Sequence, residues 1–455
     1  MAKLFGTDGI RGEAGQFPLD PKTVRIIGAS LARHLAEKTK GRRSRILIGR
    51  DTRESGPWIE QALVSGVREA GAEIQSAGVI TTPGVAYLTR TLPADAGVVI
   101  SASHNPYHDS GIKIFEPSGR KLEDTVEREI EADIVVSASI DAHETATQPA
   151  SPNGSAELKS LYQDYLANEV GRDLSLAKLT LVVDCANGAA YEIAPEVFRR
   201  LGARVIAIND HPNGRNINLD CGSLHIEDLQ KRVVAERADL GVAFDGDADR
   251  ALFVDAAGEF VDGDATLWVL ANYLKERGEL KGDTVVATVM SNIGLELALR
   301  SRAINLTRTD VGDKYVLDEL LRSRAALGGE QSGHIIFPDI SLAGDGIITT
   351  ISLLRVMREK QQSLAELTEG IHRYPQILVN VRVREKRPFE ELPSVQRQAQ
   401  AITQELGDHG RLLLRYSGTE PLARIMIEGQ DEREIERCAN DLADLIRQEL
   451  GAVDS

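Results

Sequence analysis

The chain has 455 residues, too many for one ordinary domain and enough for roughly three or four. Hydrophobic residues make up 42% and charged residues 27%, the balance of a soluble globular protein with ample core. A formal net charge of −16 argues against nucleic acid or an anionic membrane as partner, so an anionic ligand must meet positive charge concentrated locally.

The opening Met1-Ala-Lys-Leu-Phe5 leads into no apolar stretch of signal-peptide kind, and no later apolar run approaches membrane-spanning length. Three cysteines, Cys185, Cys221 and Cys438, form no Cys-x-x-Cys pair, as expected of a reducing cytosol.

One pattern then recurs three times. A short apolar strand (Ile46–Ile48, Leu181–Val183, Thr284–Val286) runs into a polar loop and a helix-like segment. A second strand follows Gly71-Ala72, Gly202-Ala203 or Arg302-Ala303, and a third closes the unit on a polar loop. The closing segments are Asp95–His104, Asp239–Arg250 and Ala326–His334. Alternation of strand and helix at this spacing predicts α/β units with mixed or parallel sheets.

In the first closing segment, Val98-Val-Ile100 reads as a core strand running into Ser101-Ala-Ser-His-Asn-Pro106, a loop at a strand's carboxyl end, where α/β proteins meet ligands. Ala142–Ser155 is small, polar and proline-containing, a linker candidate. In the second, Asp245-Gly-Asp-Ala-Asp-Arg250 follows a strand; read as extended, it brings Asp245, Asp247 and Asp249 to one face. Three converging carboxylates need a cation, and all-oxygen donors favour Mg²⁺ before Ca²⁺. An EF-hand is excluded, because Arg250 stands where its glycine belongs and Ala256 where its glutamate belongs. A solvated acidic turn is the plainer alternative.

In the third, Gly328-Gly-Glu-Gln-Ser-Gly-His334 offers Glu330, Ser332 and His334 on a glycine-rich loop, groups that suit sugar hydroxyls and a proton acceptor. After Tyr374-Pro375 the pattern changes. Val379, Val381 and Val383 alternate with polar residues as in a half-exposed strand. A helix-like run, strands near Leu412–Leu414 and Arg424–Ile427, and an amphipathic helix from Asp431 complete a small α+β domain. The loop Arg415-Tyr-Ser-Gly-Thr-Glu-Pro421 supplies an arginine fork, the hydroxyls of Ser417 and Thr419 and the open backbone of Gly418, parts of a phosphate cradle to which Arg424 adds a second fork. Neither a Walker A pattern nor a dinucleotide fingerprint occurs. The expected division is residues 1–150, 151–256 and 257–372 as three α/β domains with mixed sheets, and 373–455 as a smaller C-terminal α+β domain.

The four loops, Ser101–Pro106, Asp245–Arg250, Gly329–His334 and Arg415–Pro421, occur in this order in the α-D-phosphohexomutases, and the chain resembles that family over essentially its whole length. Phe5-Gly-Thr-Asp-Gly-Ile-Arg-Gly12, Asn216-Ile-Asn-Leu-Asp-Cys-Gly-Ser223 and Gln331 are similar to the branch that acts on amino sugars. Tyr416 and Ala248 depart from the commoner proline or lysine and glycine.

The resemblance implies a phosphoserine at Ser103, whose phosphate oxygen joins Asp245, Asp247 and Asp249 around one Mg²⁺. It implies that Arg11 and Arg250 hold the transferring phosphate, with Lys113 beside the reacting oxygen. His334 becomes the general base, and His104 stands next to the serine. Glu330 and Ser332 read sugar hydroxyls, while Arg415, Ser417, Gly418, Thr419 and Arg424 grip the non-reacting phosphate. The implied reaction interconverts glucosamine 6-phosphate and glucosamine 1-phosphate through a sugar bisphosphate, also an activator, in the cytoplasm, on the way to cell-wall precursors. The partner is then a hexosamine phosphate, with no nucleic acid, no membrane and a homodimer as the assembly it allows. Alternatives are a phosphomannomutase or phosphoglucomutase of the same fold and a non-catalytic sugar-phosphate sensor. The strand-then-Asp-Gly-Asp order also resembles the haloacid-dehalogenase phosphatases, which would phosphorylate Asp245.

Overall fold

The computed structural model describes residues 3–39, 41–137, 154–417 and 420–451. Of the expected linker, residues 142–153 lie outside the described residues, and Ser155 already begins a helix, Ser155–Asp164.

The first sheet holds β1 (Phe5–Gly6), β2 (Gly9–Glu13), β3 (Arg45–Arg50), β4 (Glu73–Val79), β5 (Ala96–Ile100) and β6 (Asp109–Phe115), in the order β1-β2-β6-β5-β3-β4. All five residues of β5 are buried, as a central strand covered on both faces requires. Helix Pro21–Lys38 starts where Asp20 accepts from the Thr23 N–H at 3.0 Å, with proline at a first-turn position that has no helical N–H to lose. It lies so close to helix Gly56–Glu69 that a Cβ on Gly66 would stand 1.9 Å from the Arg25 carbonyl oxygen. Only glycine permits that approach.

The second sheet holds β7 (Thr180–Asp184), β8 (Arg204–Ile208), β9 (Leu240–Phe244), β10 (Ala251–Asp255) and β11 (Phe260–Val261). The third holds β12 (Thr284–Thr288), β13 (Asn305–Thr309), β14 (Leu327–Gly329) and β15 (Ile335–Ile336). One strand order recurs: β4-β3-β5-β6, β8-β7-β9-β10 and β13-β12-β14-β15. Each time the first and third strands of the unit are parallel and the fourth is antiparallel to the third. The sequence repeat is therefore a repeat of topology, and the sheets are mixed. Its chemical consequence is that the loops after β5, β9 and β14 each leave the carboxyl end of a parallel strand.

The fourth sheet, β16 (Gln376–Arg382), β17 (Arg411–Tyr416) and β18 (Leu422–Glu428), is antiparallel with β18 in the middle. Helix Glu432–Leu450 starts at the Asp431 cap and buries Ile435, Cys438, Ala439, Leu442, Ala443 and Ile446, a stripe at three- and four-residue spacing. This is the smaller α+β region.

The chain divides into two compact units, Met1–Val289 with Thr307–Glu369, and Met290–Leu306 with Gly370–Ser455. Helix Ile293–Ser301 falls in the second unit although it lies between β12 and β13 in sequence. Its cap explains this: the Asn292 Nδ2 donates to the Tyr374 carbonyl at 3.0 Å, and the Ile293 N–H to Glu428 at 3.2 Å. The three cysteines are free and buried. No helix among the described residues is long and apolar enough to cross a membrane.

Candidate active site

Three loops of the first unit converge. Where β5 ends, Ser103 takes a left-handed backbone conformation (φ 53°) and donates its Oγ–H to Asp245 Oδ2 at 2.5 Å. His104 Nδ1 lies 3.3 Å from the same Oγ. Burial, with Arg250 and Arg11 nearby, lowers the His104 pKa to about 4, which leaves that ring neutral.

The aspartate loop converges, but not by strand alternation. β9 stops at Phe244, and the chain turns through Ala248 at φ 57°, with the Ala248 N–H bonded to the Asp245 carbonyl at 3.1 Å. A turn gathers three carboxylates more tightly than an extended segment can. It also explains why this position suits glycine, although alanine occupies it here. Ligand atoms of Asp245, Asp247 and Asp249 all lie within 4.8 Å of one another, and all three residues are buried.

Lys113, at the middle of β6, is 1% exposed, which rules out a solvated strand lysine. Its Nζ reaches Asp247 at 2.8 Å, Asp8 at 3.0 Å and Asp249 at 3.2 Å. Burial opposes its charge, but Asp247, Asp8 and Asp249 outweigh burial and raise its pKa well above the ordinary lysine value. Asp247 Oδ2 also accepts from Thr82 Oγ at 2.5 Å. Burial, then Asp249 and Asp247, push Asp245 well above the carboxylate range. Burial acts to raise Asp249 as well, yet Lys113 and His334 hold it well below.

Asp247 Oδ1 and Asp249 Oδ1 are buried without a hydrogen-bond partner. Carboxylate oxygens without hydrogen bonds in so tight a cluster suit a cation, and a set of oxygen donors fits a hard divalent ion such as Mg²⁺. The residues fit the expected metal.

His334 Nδ1 faces Asp249 Oδ1 at 3.6 Å, and its Nε2 faces Asp313 Oδ2 at 3.8 Å. Burial works against its charge, but Asp249 and Asp313 outweigh it and raise the pKa to about 9. Sequence spacing did not place these two carboxylate partners beside it.

Arg11 pairs with Asp8 and reaches Asn105 Oδ1 at 3.4 Å. The Arg250 N–H donates to Asp245 Oδ1 at 3.2 Å, while its guanidinium Nε stands 3.9 Å from Asp249. The buried Nε atoms of both arginines make no hydrogen bond, which leaves donors for an anion. Glu330 accepts from Ser332 Oγ at 3.2 Å and from the Gly312 N–H at 3.2 Å. A cleft of about 430 Å³ is lined by Asp8, Arg11, His104, Arg250, Glu330 and His334. Cationic forks, imidazoles and carboxylates around one space can bind a phosphorylated polyol.

In the second unit, Arg415 on β17 pairs across the sheet with Arg424 on β18. Arg424 Nη2 lies 3.4 Å from Ser417 Oγ, and Ser417 is buried. Gly418 and Thr419 lie outside the described residues. Tyr416, the departure from the commoner residues, stacks on Phe389 with centroids 4.3 Å apart.

The sequence reading missed Asp8, Thr82, Lys121 and Asp313. Lys121 joins two of them, at 2.6 Å from Asp8 and 2.6 Å from Asp313. Asp8 sits inside the Phe5–Gly12 motif three residues before Arg11, a spacing that could have flagged it. Nothing local marks the other three.

Comparison with known proteins gives the same picture. Models of the phosphoglucomutase/phosphomannomutase family match along the chain: α/β/α domain I at residues 2–139, domain II at 160–258, domain III at 262–374 and the C-terminal domain at 378–445. A protein of Solibacter usitatus named phosphoglucosamine mutase is 51% identical over 452 residues, covering 99% of this chain and 100% of its own. Among solved structures, a phosphoglucomutase/phosphomannomutase family protein of Burkholderia thailandensis superposes with a TM-score of 0.78 at 23% identity, over 99% of this chain and 98% of that one. An N-acetylphosphoglucosamine mutase of Aspergillus fumigatus, solved with GlcNAc-6P and magnesium, gives 0.66 at 19% identity, over 98% and 95%. With four family models spanning residues 2 to 445 and a relative this similar over its full length, the chain belongs to the phosphoglucomutase/phosphomannomutase family of α-D-phosphohexomutases.

Proposed function

We propose that this chain interconverts glucosamine 6-phosphate and glucosamine 1-phosphate, with Ser103 as the residue that carries the transferred phosphate. The observation that carries the reading is the Ser103 Oγ set 2.5 Å from Asp245, inside a buried three-aspartate cluster that Lys113 bridges. Asp245, Asp247 and Asp249 would hold Mg²⁺, which would supply neutralising charge for the phosphoryl oxygens during in-line displacement.

The chain's own residues do the rest. Arg11 and Arg250 bind the transferring phosphate through their Nε donors, which make no other hydrogen bond. Glu330 and Ser332 orient the sugar through its hydroxyls, and the Glu330 carboxylate suits an ammonium substituent. In the forward step the sugar oxygen bonds to phosphorus as its hydroxyl proton passes to His334 in its neutral form. The Ser103 Oγ–P bond breaks, and the freed Ser103 oxygen takes a proton from the Lys113 ammonium. The product is a sugar bisphosphate, which turns over and returns its other phosphate to Ser103; supplied from outside, the same bisphosphate would act as an activator. Arg415, Ser417, Gly418, Thr419 and Arg424 grip the phosphate that is not reacting. The division into four domains, the cytoplasmic setting and a homodimer belong to the same proposal.

The 51% identity to a phosphoglucosamine mutase supports the choice of amino sugar. The deciding experiment measures kcat/KM for glucosamine, glucose and mannose phosphates in one buffer with one Mg²⁺ concentration, and locates phosphate on the enzyme by peptide mass spectrometry. Preference for glucosamine phosphate and phosphate on Ser103 are expected. A mannose or glucose phosphate used equally well would overturn the branch assignment, and phosphate on Asp245 would overturn the mechanism.

A further inference from the structure

We propose that Asn218 and Arg53 are positioning residues that clamp the backbone of the serine loop from two sides and so aim Ser103. The inference rests on Ser103 as phosphate carrier, but the geometry behind it stands by itself. A serine at φ 53° occupies a sparsely populated conformation, which persists only where the surroundings over-determine it. Here they do. The Ser103 N–H donates to Ser101 Oγ at 2.9 Å, and Ser101 Oγ–H donates to Asp51 at 2.7 Å. The Ser103 carbonyl accepts from Arg53 Nη2 at 2.9 Å and from Asn218 Nδ2 at 2.8 Å. The Asn105 carbonyl accepts from the same two groups, at 2.9 and 3.0 Å. Arg53 Nη1 takes the Pro106 carbonyl at 2.8 Å.

Arg53 is 1% exposed and is itself fixed by Asp51 at 3.0 Å, so its fork cannot drift. Asn218 comes from the second repeat, in the Asn216–Ser223 motif, and its own N–H is tied to the Ala186 carbonyl at 2.9 Å. The metal loop closes the remaining side, because a Cβ on Gly246 would stand 2.5 Å from the Ser103 carbonyl oxygen. With both backbone polar groups of Ser103 held, only rotation about its Cα–Cβ bond is free to move Oγ. A phosphate on that oxygen then stays aligned with the aspartate cluster through both transfers. Misplacement by about 1 Å can cost on the order of 100-fold in rate, which sets the scale expected here.

The test compares wild type with Asn218→Gly, which suits the left-handed backbone of that position (φ 57°) and removes the amide, and with Asn218→Asp, which keeps the shape but loses the donor. Steady-state kinetics are read beside hydrogen exchange of the 101–106 peptide by mass spectrometry. In both variants kcat should fall roughly 10- to 100-fold with KM nearly unchanged. Exchange in the 101–106 peptide should quicken while β3 and β6 keep their protection. Arg53→Lys, which keeps the charge and loses the fork, should act in the same direction. Unchanged exchange overturns the clamp, as does exchange that rises equally across β3 and β6. Faster exchange with kcat at the wild-type level overturns the positioning role. Wild-type protein inactive on every hexose phosphate would sink the assigned activity instead, and the exchange result alone would then decide the clamp.

Discussion

Replacing Lys113 by methionine keeps most of a buried stem and removes the ammonium shared by Asp8, Asp247 and Asp249. Each contact is close to 3 Å, from 2.8 to 3.2 Å. At an effective dielectric constant of about 20, each is worth about 5 kcal/mol of Coulomb attraction. Burying the ammonium costs several kcal/mol in return, and the carboxylates can take up protons once it is gone. Removing one partner of a buried ion pair accordingly costs about 3–5 kcal/mol. The lysine's folded pKa is raised, so this contribution is fully present below the unfolded value of about 10.4 and is lost only as pH rises through the higher folded value. At neutral pH the whole loss should be visible. Thermal unfolding in EDTA should show it as a fall of about 4–7 °C. Excess Mg²⁺ should then raise Tm more in Lys113→Met than in wild type, because cation and lysine neutralise the same carboxylates. Occupancy at a hundred times Kd alone stabilises by about 2.7 kcal/mol. A Tm in EDTA equal to wild type, or a magnesium gain no larger in the variant, would refute this account of the cluster.

Ser103→Ala should lose nearly all mutase turnover and carry no phosphate at that position by peptide mass spectrometry, with an unchanged circular dichroism spectrum. Undiminished turnover would remove Ser103 from the mechanism. Arg415→Lys keeps charge but not the two-pronged geometry, so KM should rise by a factor equivalent to roughly 1–3 kcal/mol, and an unchanged KM would place the distal phosphate elsewhere. Asp345 caps helix Gly346–Lys360, accepts from Tyr162 at 2.6 Å and is raised by burial to about 6. Its folded pKa exceeds the unfolded value of about 3.9, so the folded state binds more protons and loses stability as pH rises from about 4 to 6. An asparagine side chain keeps the cap without the charge, so Asp345→Asn should be more stable than wild type at pH ~8, by up to about 3 kcal/mol, with the gap closing near pH ~4 in thermal unfolding. Lower stability than wild type at the higher pH would contradict that sign.

Much of this molecule is local enough to read from its sequence. Val98-Val-Ile100 had to be a buried strand, and Ser101–Pro106 had to leave its carboxyl end, because apolar runs and turn residues act within a few positions. The threefold repeat showed for the same reason, since each copy carries its own strands and turns, and the alternation of Val379 and Val381 with polar residues marked β16. The carboxylates at 245, 247 and 249 announced a cation by composition alone. How they converge was not legible: Ala248 adopts a left-handed turn that an alternating pattern does not encode. The charge of His334 was equally hidden, because it depends on Asp249 and Asp313, far away in sequence and brought within 4 Å only by folding. So too was the burial of Lys113, which reads as an ordinary strand lysine until Asp8 and the aspartate loop close over it. Residue type and local order determined which groups could do chemistry here. Tertiary packing decided their protonation and aim, because both are set by charges and hydrogen bonds between residues that only the folded chain makes neighbours.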